Sequence, residues 1–318
     1  VKAVGLWEFG DPSVLSVVEV PVAVPEATGV EVEVAFATVN PTDVLFRSGQ
    51  QASTMTELRP PFIPGMEFSG RVAKLGRGVT GFSVGQLVMG VVNPRRPAGG
   101  AMQQRIIVPA DSLISLPSSA DLVGAATVPM NGLTALKAVV GLELEPGQKT
   151  LVTGGAGALG GYAIQIAKHF GLLVAADAKD EDRQLLKSFG VDQLLPRGTD
   201  LATAVSLWAP GGVDGVIDAA CLGRAVWDAA RDGAICISVR GMPDSPDARV
   251  RHLPVSVTQH VADVEALQLV GKLYAEGVLS ARVAKVLGLA QTSEAHRMLE
   301  EGGLRGRMVI VLAEDHSL

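Results

Sequence analysis

The chain has 318 residues, 47% of them hydrophobic and 19% charged, with a net charge of −6. That length suits about two ordinary domains, and the apolar content excludes intrinsic disorder. A mildly acidic chain is a poor partner for nucleic acid, because phosphate contact needs a basic face.

Residues 1 to about 118 are rich in Val, Gly and Pro. The segments VLSVVEV, VEVEVAFATV (Val30 to Val39) and RIIVPA read as strands. The second alternates apolar and acidic residues, the period-2 pattern of a half-buried strand. Gly76, Gly78, Gly81 and Gly85 mark turns between Val-rich pieces. The character changes near residue 119, where SSADLVGAATVPMNGLTALKAVV spaces its apolar residues as a helix does. KTLVTG (strand), AGALGGYAIQIAKHFG (helix), LLVAAD (strand) and DEDRQLLKSFG (helix) then alternate, and GVDGVIDAA and GAICISV add two buried strands. Such alternation predicts a parallel, doubly wound sheet. After about residue 260, VADVEALQLVGKLYAEGVL and QTSEAHRMLEEGG read as helices. The closing GRMVIVLA is a short apolar strand that needs a sheet, and the N-terminal β-rich part is its expected partner. The fold class is therefore α/β. A discontinuous β-rich domain (residues 1–118 and 265–318) is expected, with a βαβ domain (residues 119–264) inserted in it.

The sharpest motif is LVTGGAGALGGYAIQIAKHFG. Gly155, Gly157 and Gly160 fit G-x-G-x-x-G, and Gly154, Gly157 and Gly160 fit an overlapping G-x-x-G-x-x-G. The motif follows an apolar strand and opens a helix. Glycines so placed let the chain turn tightly, bring backbone up to a pyrophosphate and pack the helix against the sheet. The helix N-terminus adds N–H groups and a positive dipole end. Gly154, Gly155, Ala156, Gly157, Ala158, Leu159 and Gly160 are thus the expected cofactor loop, for NADH or NADPH. Asp177 ends the next strand, 17 residues after Gly160. A carboxylate there can accept both ribose hydroxyls, which selects NAD and repels a 2′-phosphate. Lys179 could instead bind that phosphate, and Asp177 could also cap the following helix, although Asp180 is better placed for that. The choice of cofactor stays open on these residues.

Other chemistry is thinly represented. Residues 1–118 contain neither Cys nor His, and Glu67 has no soft ligand nearby, so no metal, and no zinc in particular, is expected. No Ser-His-Asp constellation is visible. His169, His252, His260, His296 and His316 lie in or after the βαβ region, and His296, on a helical pattern, reads as a surface or packing residue. Mean hydropathy is +0.31, but Gly, Pro or charge interrupts every apolar run, so no membrane partner is expected. No secretory signal is visible at the N-terminus. Two cysteines, Cys221 and Cys236, cannot make a disulfide framework. A reducing cytoplasm is the expected compartment.

Seven segments carry a resemblance over nearly the whole chain, in order: VKAVGLWEFGDPSVLSVVEVPVAVP, VNPTDVLFRSG, PFIPGMEFSGRVAKLGRGVTGFSVGQLV, GGAMQQRIIVPADSLISLP, VPMNGLTALKAV, the glycine loop and EAHRMLEEGGLRGRMVIVL. Together they resemble the zinc-free quinone oxidoreductase (zeta-crystallin-like) branch of the medium-chain dehydrogenase/reductase superfamily. The resemblance implies a GroES-like catalytic domain and a Rossmann domain, with a small-molecule substrate between them. It implies hydride transfer from a reduced nicotinamide to a quinone or α,β-unsaturated carbonyl. Asn40 would lie beside nicotinamide and substrate and donate to an enolate oxygen. Thr134 would meet the nicotinamide end. Ala219 and Ala220 in one loop, and Val239, Arg240 and Gly241 in another, would flank the cofactor. Arg240 could meet an acidic substrate or a phosphate, or sit in a surface ion pair. Asp43 matches the acid of the NP-x-D segment, where a structural hydrogen-bonding role is favoured over catalysis. Asp43, Leu45, Met66 and Ala101 would border the substrate pocket.

The chain also departs from this family. Leu45 stands where many members have Tyr, so that proton donor is absent and solvent is expected to complete proton delivery. Ala101 and Gln104 replace two aromatics, which implies a more open or more polar pocket. Met66 stands where zinc-dependent relatives place a His ligand. Two other readings compete. One is enoyl-thioester reduction, with Arg95, Arg96 and Arg105 as a basic patch or as a solvated charge run. The other is a non-catalytic cofactor-binding protein. The resemblance further implies a homodimer, in which GAICISV could form an edge strand pairing across subunits.

Overall fold

The computed structural model describes residues 1–241 and 247–313, so His316 lies outside the described residues. The first part of the chain forms β1 (Lys2–Gly5), β2 (Ser16–Glu19), β3 (Gly29–Val39), α1 (Pro41–Arg47), β4 (Glu67–Leu75), β5 (Leu87–Val91), β6 (Arg105–Pro109), β7 (Leu113–Ser115), α2 (Leu122–Ala125) and α3 (Pro129–Gly141). The middle part forms β8 (Lys149–Val152), α4 (Ala158–His169), β9 (Leu173–Ala178), α5 (Arg183–Ser188), β10 (Gln193–Pro196), α6 (Leu201–Ser206), β11 (Val213–Asp218), β12 (Ala230–Ser238) and β13 (Arg251–Pro254). The last part forms α7 (Val264–Ala275), β14 (Val283–Gly288), α8 (Thr292–Glu301) and β15 (Arg307–Val311). Two compact units result. One takes Val1–Met130, Thr258–Lys272 and the chain from Ala281 on, and the other takes Asn131–Val257 and Leu273–Ser280.

In the first unit β3 is central. It pairs antiparallel with β4 along one side. On the other side β6 takes its first half, Gly29 to Glu33, and β15 takes its second half, Phe36 to Val39. The apolar run GRMVIVLA thus finds its sheet on the N-terminal strands, as its composition requires. The order is β14-β15-β3-β4-β5-β7, with β6 against β3. Val30, Val32, Val34, Phe68, Val88, Met102, Ile106, Met308 and Ile310 fill the core.

β3 is more deeply buried than its alternation predicts, and Glu31 shows why. Its carboxylate is fully buried, yet Arg105 Nη1 lies 2.9 Å and Lys74 Nζ 3.2 Å from its oxygens. Both cations reach in from the neighbouring strands while their side chains stay 37% and 58% exposed. A carboxylate that accepts a hydrogen bond from Arg105 and faces the Lys74 charge on its other oxygen can occupy a position that the period-2 pattern assigns to solvent.

The second unit is a six-stranded sheet in the order β10-β9-β8-β11-β12-β13. Every pairing in it is parallel. The strand order reverses between β8 and β11, which makes that gap the topological switch point. Leu151, Ala175, Leu195, Val213, Val216 and Cys236 lie in its core.

Four local expectations change. The helix expected from residue 119 breaks into α2 and α3, because the residue before Pro129 is disfavoured in helical geometry. DEDRQLLKSFG opens as a 3₁₀ turn, Asp180–Asp182, and α5 starts only at Arg183. Neither Asp177 nor Asp180 caps α5; Asp182 holds that position. GAICISV is not an edge strand, since β12 pairs with β11 on one side and with β13 on the other. The edge on that side is β13, whose four residues RHLP are too short and polar to announce a strand. Among the described residues no helix is long and apolar enough to cross a membrane.

Glu31→Gln removes the buried charge and leaves two cations that water can solvate. A loss of about 1–3 kcal/mol is expected, the worth of hydrogen bonds to a charged group, read as a lower urea midpoint at unchanged slope. An unchanged midpoint would show that the two cations contribute nothing to the buried end of β3.

Candidate functional site

The second unit carries the glycine loop. β8 ends at Val152 and α4 opens at Ala158, with Gly157 at the N-cap position. Gly154 adopts φ +63, a left-handed conformation that glycine enters without strain. Its N–H donates to Asp177 Oδ1 at 2.6 Å. The Gly157 N–H donates to the Gly154 carbonyl at 2.8 Å and closes the turn. A Cβ on Gly160 would lie 2.3 Å from that same carbonyl oxygen. The helix can therefore approach the loop this closely only with glycine there. Helix geometry leaves the first N–H groups of α4 without intrahelical acceptors, and the dipole favours an anion at that end.

A second set of bonds spans the switch point. Thr153 Oγ1 donates to Asp218 Oδ1 at 2.7 Å and accepts from the Ala220 N–H at 3.0 Å. Asp218 also accepts from the N–H groups of Leu222 at 3.0 Å and Gly223 at 2.8 Å. The loop after β11, which holds Ala219, is thus latched to the start of the glycine loop. Val239, Arg240 and Gly241 follow β12. Asp177 lies near the end of β9, and Lys179 follows it. All of these positions lie at the carboxyl ends of parallel strands, the side on which doubly wound sheets bind their ligands. The arrangement suits a dinucleotide: a close backbone approach, a helix end for phosphate and a fixed rim.

Individual side chains refine this. Asp177 is buried and pairs through Oδ2 with Arg197 Nε at 2.9 Å. Lys179 is exposed and 3.7 Å from Glu181. Arg240 is exposed and has no ion-pair partner among the described residues. Thr134 is buried on α3. The sequence reading missed Arg197, Thr153 and Asp218. A carboxylate closing the apolar run GVDGVID was the available signal for Asp218.

The first unit holds a buried polar network. Met308 pairs with Val39 and Ala37 with Phe68, so the adjacent ends of β15, β3 and β4 bring Arg307, Asn40 and Glu67 together. Arg307 Nη2 donates to Glu67 Oε1 and the Val39 carbonyl, each at 3.0 Å, and to Asn40 Oδ1. Asn40 Nδ2 donates to Glu67 Oε1 and the Thr38 carbonyl, each at 3.2 Å. Glu67 Oε2 accepts from the Met130 N–H at 2.9 Å. Asp43 accepts from the N–H groups of Asn40 and Gly65, each at 2.8 Å. Asn40, Asp43 and Glu67 are wholly buried and Arg307 is 7% exposed. Burial pushes the Asp43 carboxyl up to about 7, against the pull of its two N–H donors and Arg307, with Glu67 adding to the rise. Burial raises Glu67 too, and Arg307 holds it down.

The remaining candidates of this unit have surroundings of their own. Met66 and Ala101 are buried and Leu45 is half-buried. Gln104 does not act as a loose polar group. Its amide accepts from the Lys2 N–H at 2.9 Å and donates to the Leu312 carbonyl at 3.2 Å, tying the first strand to the chain end. Arg95, Arg96 and Arg105 form neither a patch nor a solvated run. Arg105 serves Glu31, and Arg96 clamps the carbonyls of Gly99 and Ile107 at 2.9 and 2.8 Å, its pKa lowered by burial to about 10. Arg95 turns back onto Asn93. His296 is wholly buried, and burial pushes it down to about 3, so it packs as neutral imidazole.

Comparison with known proteins places these features. Residues 26–118 match the alcohol dehydrogenase GroES-like domain, and residues 189–310 match the zinc-binding dehydrogenase family. The chain is 30% identical over 202 residues to the chloroplast envelope quinone oxidoreductase homolog of Arabidopsis thaliana, covering 62% of this chain and 60% of that protein. It is 32% identical over 206 residues to the trans-enoyl reductase himH of Aspergillus japonicus, covering 60% and 58%. The chain thus spans about three fifths of the length of these two relatives. The structure of the quinone oxidoreductase from Coxiella burnetii superposes with a TM-score of 0.83 at 28% identity, covering 98% of this chain and 99% of that one. The second matched family is described as zinc-binding; among the described residues no group of three or more His, Cys, Asp or Glu side chains is placed to hold a metal ion. Residues 1–118 offer no Cys or His. Glu67 and Asp43 are already engaged by Arg307, Asn40 and backbone N–H groups.

Gly160→Ala forces a methyl against the Gly154 carbonyl and must shift α4 or the loop. A loss of about 1–3 kcal/mol in stability is expected, with weaker nicotinamide cofactor binding in a titration. Unchanged binding would show that the close approach is not part of the cradle. The Asp43 carboxyl gives a pH test. It keeps its proton to about pH 7 when folded, whereas the ordinary value is 3.8. Between those values the folded state binds more protons, so stability falls as pH rises through that window. Asp43→Asn removes this slope, and the native protein should lose stability relative to the variant from pH 4 to 7. Parallel curves would mean that Asp43 is ionised throughout.

Proposed function

We propose that this chain, which belongs to the medium-chain dehydrogenase/reductase superfamily, is a zinc-independent oxidoreductase that uses NADH or NADPH to reduce a quinone or an α,β-unsaturated carbonyl. The observation that carries the reading is the cradle at the switch point, where Gly160 admits α4 to the Gly154 carbonyl and no larger residue fits. The likeness to an Arabidopsis quinone oxidoreductase homolog and to the Coxiella quinone oxidoreductase supports the substrate class.

A bound nicotinamide supplies the hydride. The chain binds and orients it. N–H groups at the start of α4 receive the pyrophosphate, and the Thr153–Asp218 latch holds the loop after β11 at the rim. Asn40 and Thr134 stay the candidate reaction-site residues. Both Asn40 amide hydrogens are engaged, by Glu67 and by the Thr38 carbonyl. Donation to an enolate oxygen therefore requires giving up one of those bonds, and proton delivery is assigned to solvent. The protein is read as cytoplasmic and homodimeric, with β13 as one of the two edges of the sheet. Enoyl-thioester reduction is the second reading, favoured by the likeness to the Aspergillus trans-enoyl reductase.

A fluorescence titration with NADPH and with NADH tests the reading, followed by cofactor consumption with quinones, enones and enoyl thioesters. Saturable binding and turnover with a quinone or enone are expected. Turnover with thioesters alone would select the second reading, and binding of neither cofactor would end both.

A further inference from the structure

Asn40 meets a substrate oxygen only by giving up a bond, and the network around it shows which bond is loose. The Asn40 backbone is fixed, because its N–H donates to Asp43 Oδ2 at 2.8 Å and α1 starts at the next residue. Movement is therefore confined to the side-chain amide. Its Oδ1 accepts from Arg307 Nη2. The two Nδ2 bonds, to the Thr38 carbonyl and to Glu67 Oε1, are each 3.2 Å. That is the long limit for an N–H···O bond.

Arg307 supplies the slack at Glu67. Its Nη2 faces three acceptors: Glu67 Oε1 and the Val39 carbonyl, each at 3.0 Å, and Asn40 Oδ1. A terminal guanidinium nitrogen carries two hydrogens, so three acceptors share them. Glu67 Oε1 in turn draws on two donors, Arg307 Nη2 and Asn40 Nδ2, while Oε2 keeps the Met130 N–H at 2.9 Å. When Nδ2 turns away, the guanidinium can place a hydrogen on Oε1, and neither carboxylate oxygen is left bare. Without that second donor the same turn would cost the desolvation of a charged acceptor.

We propose that Arg307 is a positioning residue for the reaction: it holds Asn40 Oδ1 and takes over Glu67 Oε1, which frees Asn40 Nδ2 to donate to the substrate oxygen. The proposal rests on the oxidoreductase reading above. With an enone, hydride passes from the reduced nicotinamide, which is oxidised, to the β carbon. The conjugated electron pair ends on the carbonyl oxygen, and solvent protonates the α carbon. Charge grows on that oxygen only as hydride arrives, so a donor released to it lowers the barrier more than it tightens substrate binding.

The test is single-turnover hydride transfer by the full chain, read as loss of reduced nicotinamide absorbance with the best accepted quinone or enone. Arg307→Lys keeps the charge on a shorter stem. Arg307→Gln/Glu67→Gln removes both charges together, so neither is stranded. Each is expected to slow transfer about tenfold or more, toward the roughly hundredfold loss expected for Asn40→Ala, the scale of a lost oxyanion donor. The substrate KM should move little. Cofactor binding should be unchanged, because Arg307 and the glycine loop belong to different units. In the Asn40→Ala background neither change should slow transfer further, since the amide through which Arg307 acts is already gone. Equal losses with and without Asn40 would mark a general structural role and overturn the proposal, as would native rates in both variants. Native transfer by Asn40→Ala would also overturn it and leave the oxidoreductase reading standing. A native chain that passes hydride to no quinone, enone or enoyl thioester fails that reading itself, and the proposal falls with it.

Discussion

One guanidinium withdrawn from water organises the first unit. Arg307 meets Glu67 and Asn40 where three strand ends converge, and both side chains are wholly buried. Removing either charge would strand the other in a low-dielectric interior, which is far costlier than losing a surface pair. The same bond fixes register. Apolar strands such as MVIV can pair in more than one alignment, and a one-residue slip turns every side chain to the other face. Arg307 reaches Asn40 and Glu67 only with Met308 opposite Val39. The charges thus specify which of the possible alignments of the last strand is the native one.

The second unit applies similar physics to its loops. Asp177 and Asp218 both stand near the carboxyl ends of buried strands, where backbone N–H groups leave the ladder and need new acceptors. Asp218 takes Thr153, Leu222 and Gly223, and Asp177 takes Gly154 and Arg197. The loops at the crevice are therefore ordered by carboxylates belonging to the sheet. A rim prepared in this way binds without first paying the entropy of ordering itself.

Local signals explain what was legible. β3, β15, the glycine loop and α4 follow from periodicity and glycine spacing, each read within a dozen or so neighbours. Pro129 marked the break between α2 and α3, but the apolar spacing around it was read as continuous. The burial of Glu31 was hidden, because its cations arrive from other strands and only register names them. Arg307 and Glu67 were hidden for the same reason, their separation of 240 residues leaving no local trace. Arg197 follows QLLP, too short a run to announce the strand that presents it.

The two units differ in what their polar groups have left to give. In the first, Asp43 and Glu67 are sealed and bonded, which is the behaviour of scaffolding, and Asn40 reaches a ligand only by giving up one of its bonds. Unpartnered nitrogens do occur there, on Arg47, Arg96, His296 and Arg307, but each of these atoms is withdrawn from solvent. In the second, the guanidinium of Arg197 keeps two nitrogens unbonded in water, and α4 ends in N–H groups that no helical carbonyl can reach. Donors that water solvates carry no desolvation cost, so these groups remain available beside the glycine loop. The strongest part of the functional reading therefore rests on the second unit, and the first contributes the stiffness that keeps the Asn40 segment in one geometry.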